Sequence, residues 1–190
     1  KEMNGYITTY TRKHFDPVNP DPELISIQDI AHALSLICRG NGHVSSFWSV
    51  GEHCICCAKE AACRGFSGRL ILACLLHDAS ECYMSDVPRP LKQNMEEYKN
   101  QEEKLLIIIY KKFLGNTLTE DEQLQVKEID DAMLWYDLDK LLDEKQFGKI
   151  PIIHIRLDYT VRPFEEVEQE YLNLFYRYSK EKAPKNQACW

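Results

Sequence analysis

Apolar residues return along most of this chain every three to four positions, the spacing of one face of an α-helix. Ile27, Ile30, Ala31, Leu34, Ile37 and Cys38 form the first such stripe. They predict a helix over 26–38, with Ser26 at its N-cap, Asp29 three residues on, and Gly40-Asn41-Gly42 as its stop. Ser49-x-x-Glu52 is a capping box that opens a second helix over 50–63. A third runs from Ser67-Gly68 to about Tyr83. Its middle, Leu70 to Leu76, is apolar on nearly every side, which places it at the centre of a bundle. A fourth covers 95–113 and ends at Gly115-Asn116. A fifth runs from the capping box Thr119-x-x-Glu122 to Leu142. The last starts at Pro163, with Phe164, Val167, Tyr171, Leu174, Phe175 and Tyr178 on its stripe.

Between these stripes the pattern breaks. Residues 3–23 read as an irregular lead, in which Tyr6–Tyr10 suits a short strand or hairpin arm and Pro17, Pro20 and Pro22 mark turns. Pro88 and Pro90 bracket Arg89 in a rigid loop. Ile150–Ile155 suits a short strand or a buried loop. The tail from Ala183 is expected to fray. No internal repeat is visible. The expectation is one all-α domain over 1–190, a bundle of about six helices with minor irregular or short-strand segments. The lead is 1–23, the helical core that carries the chemistry is 24–142, and 143–190 is a loop, a C-terminal helix and a tail.

Composition narrows the function classes. Hydrophobic residues make up 44%, enough for a sizeable core, and 8 Gly with 8 Pro exclude collagen-like and low-complexity chains. Lys and Arg number 23 against 30 Asp and Glu, a net charge of −7. That balance argues against a partner as long and anionic as nucleic acid, but allows a small anion in a locally positive pocket. The eight cysteines stand at 38, 54, 56, 57, 63, 74, 82 and 189, mostly in apolar helical text. With no secretory h-region at the start, they read as free thiols in a reducing cytoplasm. Cys54-x-Cys56-Cys57 lacks the second ligand pair of a structural zinc site. The longest apolar runs, Leu70–Leu76 and Leu105–Tyr110, fall far short of the ~20 residues that span a bilayer, so no membrane partner is expected.

The candidate chemistry sits where the most apolar helix ends, at His77-Asp78-Ala79-Ser80-Glu81. Glu81 lies one turn beyond His77 and Asp78, over the same patch. Three ionisable groups there need a partner to offset their desolvation. A divalent cation supplies it, and a local His–Asp–Glu hydrogen-bond network is the alternative. His53, one turn into the second helix, reads alone as a boundary histidine. Asp130 shares a helical face with Val126, Met133 and Leu134, although the adjacent Asp131 leaves the register open. Two imidazoles and two carboxylates together suit Mn, Co, Zn, Ni or Fe(II) better than Ca. Arg89 and Lys92 either add positive potential at a rim or are ordinary surface charge. His43, in a loop, is a candidate to face the site. His32 and His154 read as core or surface residues, and His14 has no constellation around it.

The order His53, His77-Asp78, Asp130 resembles the signature of the HD-domain metal-dependent phosphohydrolases. The likeness extends through Asp29–Ser35 (DIAHALS), Arg39 with Gly42-His43, Phe47–His53 (FWSVGEH), Leu75–Glu81 (LLHDASE), Ser85–Lys92 (SDVPRPLK) and Val126–Asp130 (VKEID). It is to the compact branch of bacterial 5′-deoxynucleotidases and small phage-type hydrolases, over about 24–140. The resemblance implies one divalent ion (Mn, Co, Zn, Ni, Fe or Mg) on His53, His77, Asp78 and Asp130. It implies Glu81 as the acid that assists the attacking water, with Asp78 also catalytic, Arg39 near the phosphate and Asp86 near the sugar. Gly51 and Cys54 depart from its usual residues around the first histidine. Gly40 stands where the deoxynucleotidases carry an aromatic residue, and 143–190 has no counterpart. The expected function is hydrolysis of a (deoxy)nucleoside 5′-monophosphate by metal-activated water. A deoxynucleoside triphosphate hydrolase, another HD-type nucleotide hydrolase and a non-catalytic, metal-stabilised binding module are the alternatives. The aromatic last helix makes a homodimer an expectation.

Overall fold

The lead folds back on itself before the bundle begins. In the computed structural model, which describes residues 5–181, β1 (Ile7–Thr8) pairs antiparallel with β2 (His14–Phe15). Phe15 at its end is fully buried and stacks on Tyr83. Asp29 ties the hairpin down, accepting from the backbone N–H and hydroxyl of Thr11 at 2.7 and 2.9 Å. Asp29 is therefore not available to complete a capping box. Ser26 is the N-cap residue of α1 (Ile27–Leu36), but its hydroxyl bonds Gln28 instead. This helix stops before Cys38 because Cys38 turns extended and bridges Ser49. The bridge closes a loop in which Gly40, Asn41 and Gly42 all have positive φ, a run that two glycines make affordable.

Ser49 then caps α2 (Val50–Cys63) with both halves of the expected box in place. Buried α3 (Gly68–Leu76) follows, capped by Ser67. The third predicted helix does not continue to Tyr83. The imidazole Nδ1–H of His77 donates to the Cys74 carbonyl at 2.8 Å and competes for the acceptor that the next helical turn would use. The chain tightens through a turn and restarts as a single-turn helix, α4 (Glu81–Met84). The predicted rigid loop at Arg89 is also a helical turn, α5 (Arg89–Lys92). Pro90 lies in its first turn, where a missing N–H costs nothing. Next come α6 (Glu96–Leu114), ended by Gly115 in the left-handed region, and α7 (Glu120–Leu142), capped by Thr119 and Glu122 as expected. The bundle closes with α8 (Phe164–Tyr178), preceded by Pro163 at its N-cap.

One hydrophobic cluster draws on α1, α2, α3, α6, α7 and α8. Helix α2 crosses α1 so closely that a Cβ on Gly51 would lie 3.2 Å from the backbone of Leu34 and Ser35. Tyr171 of α8, fully buried, donates to the Leu75 carbonyl at 2.7 Å and satisfies an acceptor that the end of α3 leaves open. The segment 143–163 is an irregular strap rather than a strand, and Ile150 and Ile152 are exposed rather than buried. Buried Glu60 of α2 anchors it, accepting from the backbone N–H groups of His154 and Ile155 and from His154 Nδ1. Among the described residues no helix is long and apolar enough to cross a membrane. The predicted tail from Ala183, with Cys189, lies outside the described residues.

Candidate metal centre

Three helices aim polar side chains at one point. His53 comes from the first turns of α2, His77 and Asp78 from the end of α3, and Asp130 from the middle of α7. His53 is buried, and its Nε2 lies 3.0 Å from Asp130 Oδ1. His77 Nε2 lies 3.2 Å from Asp78 Oδ2 and 3.6 Å from Asp130 Oδ1. Both rings are held from behind. The Nδ1 of His53 faces Asp137 Oδ2 at 3.0 Å and donates to it, because a carboxylate only accepts, and by the same rule Nε2 carries a proton toward Asp130 while no cation takes its place. His77 Nδ1–H is committed to Cys74, so Nε2 is the nitrogen that faces inward. This Nε2 is buried and makes no hydrogen bond of its own. An orphaned imidazole nitrogen facing two carboxylates is the donor chemistry of a cation site. Two sets of three donors, His53–Cys57–His77 and Cys54–His77–Asp78, each lie within 4.8 Å of one another and can hold a metal ion.

The local field agrees with this. Burial pushes Asp78 up, yet the imidazoles of His77 and His53 pull its carboxyl down to about 2. Burial raises Asp130 too, and the imidazoles of His53 and His77 beside it hold it well below the usual carboxylate range. Burial lowers His77, but Asp78 and Asp130 beside it hold the ring well above its ordinary value. Burial, with Asp78 and Asp86 nearby, drives Glu81 strongly up. Burial likewise raises the thiols of Cys54 and Cys57.

A cavity of about 400 Å³ opens onto this cluster. Five carboxylates line it, Asp78, Glu81, Asp86, Asp130 and Asp137, against the cations Arg39, Arg89 and Lys92. Leu134, Leu138 and Leu141, on the α7 face that carries Asp130 and Asp137, form an apolar wall. A second cavity of about 590 Å³ reaches Asp78 and Asp130 from the other side, between α6 and α7. Arg39 ion-pairs with Asp78 at 3.5 Å and Asp137 at 3.4 Å. Lys92 bonds Glu102 and stands 4.0 Å from Glu81. Asp86 is half-buried at the cavity wall, and Arg89 is an exposed rim residue 3.9 Å from Asp131.

Of the sequence candidates, only His43 is not brought in. It is exposed and does not line the cavity. The register question resolves in space, since Asp131 turns away to Lys127 and Arg89 while Asp130 faces the histidines. His32 bonds Glu168 and stacks on Tyr10, and His154 bonds Glu60, both away from the centre. Sequence reasoning missed Asp137, which stands two turns beyond Asp130 on the same helical face and was legible by that spacing. It also missed Tyr159 of the strap, whose hydroxyl donates to Asp137 Oδ1 at 3.0 Å and which no local pattern marks. Cys57, one turn after His53, was dismissed with its cysteine neighbours.

The uncharacterized protein YfdR of Escherichia coli is 34% identical to this chain over 164 residues, covering 78% of the chain and 86% of the relative. The chain belongs to the YfdR family. A second relative, the uncharacterized protein RCAP_rcc00048 of Rhodobacter capsulatus, shares 38% identity over 85 residues, 42% of this chain and 43% of its own length. No protein-family model matches.

Proposed function

We propose that this YfdR-family chain is a metal-dependent phosphohydrolase of the HD type, acting on a small nucleotide, foremost a (deoxy)nucleoside 5′-monophosphate. The observation that carries the reading is the meeting of His53, His77, Asp78 and Asp130 beside a cavity whose lining includes Asp78 and Asp130 together with Glu81 and Arg39. Those four residues would hold the ion. A divalent cation bound there supplies a Lewis acid and an acidified water. Asp137 keeps His53 in the tautomer that presents Nε2, and the Cys74 carbonyl does the same for His77. Glu81, which Lys92 at 4.0 Å and a bound cation would favour in its ionised form, would orient the attacking water and take its proton. Arg39 has five N–H donors, of which two face Asp78 and Asp137, so the rest can meet phosphate oxygens. Asp86 accepts from a sugar hydroxyl, and the α7 leucines cover the base. Formally the lining carboxylates outnumber the lining cations by two, the charge that a divalent ion would offset.

The test is phosphate release from a panel of nucleoside and deoxynucleoside mono-, di- and triphosphates with Mn²⁺, Co²⁺ or Mg²⁺ and with chelator. The expected result is orthophosphate from a monophosphate, abolished by chelator, by Asp78→Ala and by Glu81→Ala, the last remaining folded. Diphosphate or tripolyphosphate as product moves the assignment to a triphosphate hydrolase. Full activity in Glu81→Ala overturns its role. Silence from metal-loaded protein overturns the hydrolase reading and leaves a metal-stabilised helical module.

A further inference from the structure

Cys57 stands one helical turn after His53, and its Sγ lies 3.5 Å from His53 Nε2. The ligand atoms of His53, Cys57 and His77 all fall within 4.8 Å of one another. Asp130 Oδ1 adds a fourth donor, 3.0 Å from one imidazole and 3.6 Å from the other. A tetrahedral ion with bonds of about 2.0–2.1 Å to nitrogen and about 2.3 Å to sulfur has donor–donor edges of roughly 3.3–3.6 Å. The observed spacings bracket that range without rearrangement of any helix. We propose that the centre has a second, soft-cation mode, in which His53, Cys57, His77 and Asp130 hold Zn²⁺ or Cd²⁺ as a closed site.

The choice of thiol follows from the contacts. Cys54 Sγ meets His77 at Nδ1, at 3.9 Å, and that nitrogen already donates to Cys74. Cys54 thus meets the face of the ring that cannot ligate, whereas Cys57 meets His53 Nε2, the face that can. Hard cations such as Mn²⁺ or Mg²⁺ favour carboxylate and water oxygen and leave the thiol protonated. A soft cation displaces the Cys57 proton to solvent, one per ion, and forms the metal–thiolate bond. Four protein donors then fill its shell, as in structural rather than catalytic zinc sites, and leave no position for water or a phosphoryl oxygen. The consequence, inhibition by thiophilic ions, rests on the hydrolase reading above, while the binding mode itself does not.

The experiment titrates metal-free protein with Cd²⁺ and follows the ultraviolet thiolate-to-cadmium charge-transfer band, with Mn²⁺ binding measured in parallel. The band is expected in the wild type and in Cys54→Ser at one ion per chain, and lost in Cys57→Ser and Cys57→Ala. Cd²⁺ affinity falls in the Cys57 variants more than Mn²⁺ affinity does. Zn²⁺ or Cd²⁺ also suppresses phosphate release supported by Mn²⁺ in the wild type. Cd²⁺ binding without the band, or a band that survives Cys57→Ser, overturns the soft mode and leaves the metal centre standing. Failure to bind either ion overturns both. A Cys57-dependent band in a protein without hydrolase activity keeps the site and removes only the inhibitory consequence.

Discussion

Asp137→Asn is the perturbation that separates a built metal centre from a chance meeting of charges. Asp137 is buried, 6% exposed, and is not a ligand of the metal ion in the proposed arrangement. It receives His53 Nδ1–H at 3.0 Å, the Tyr159 hydroxyl at 3.0 Å and the Arg39 guanidinium at 3.4 Å. Asparagine keeps the volume but offers one acceptor oxygen where two were used. Either His53 or Tyr159 then faces an NH₂ group, and Arg39 retains only Asp78. Loss of an orienting partner of this kind typically weakens metal affinity by about 10–100-fold, which is about 1.4–2.7 kcal/mol. Loss of one hydrogen bond to a charged group costs about 1.5–3 kcal/mol of stability. Isothermal titration of metal-free protein with Mn²⁺ and a thermal melt read the two separately. Tyr159→Phe removes one donor and leaves the carboxylate on His53, so it should weaken metal binding less than Asp137→Asn does. Wild-type Mn²⁺ affinity in a folded Asp137→Asn would refute the reasoning that His53 is aimed from behind.

Two further perturbations probe how the bundle supports that centre. Burial pushes Glu60 up, but hydrogen bonds from His154, Arg64 and the backbone of His154 and Ile155 hold it below its ordinary value. Its contribution is therefore complete above the unfolded glutamate value of about 4.3 and is lost as pH falls through the folded one. Glu60→Gln should cost about 2 kcal/mol at neutral pH, by the loss of charged hydrogen bonds, and should flatten the fall in stability below pH ~4; equal acid slopes in chemical denaturation of the two proteins would contradict this. Gly51→Ala places a methyl 3.2 Å from the α1 backbone and should destabilise by about 1–3 kcal/mol. An unchanged melting temperature would show that α1 and α2 can separate at no cost.

Local signals made much of this fold legible. Ser49 and Thr119 cap the helices their sequence boxes announce, because each box closes within four residues. The buried centre at Leu70–Leu76 followed from composition alone. What failed were features that distant partners decide. The sequence pairs Asp29 with Ser26 as a capping box, but Asp29 serves Thr11, eighteen residues away. The break after Leu76 comes from an imidazole competing for a backbone carbonyl. The strap at 143–163 takes its path from Glu60, Tyr136 and Asp137, none of which its own sequence reveals. In the candidate centre, spacing exposed His77, Asp78 and Glu81, helical position offered His53 and Asp130 beside ordinary readings of each, and the family resemblance joined the four ligands into one set. Asp137 and Cys57 obey the same helical spacing and were hidden only by ordinary-looking neighbours.

The central claim is that His53, His77, Asp78 and Asp130 enclose one hard divalent ion. Crystals grown with Mn²⁺ and measured near the manganese absorption edge test it directly. The expected result is a single anomalous peak bounded by those four side chains, absent from crystals of Asp130→Asn. A peak elsewhere, or none in crystals of protein shown to carry manganese in solution, would contradict it.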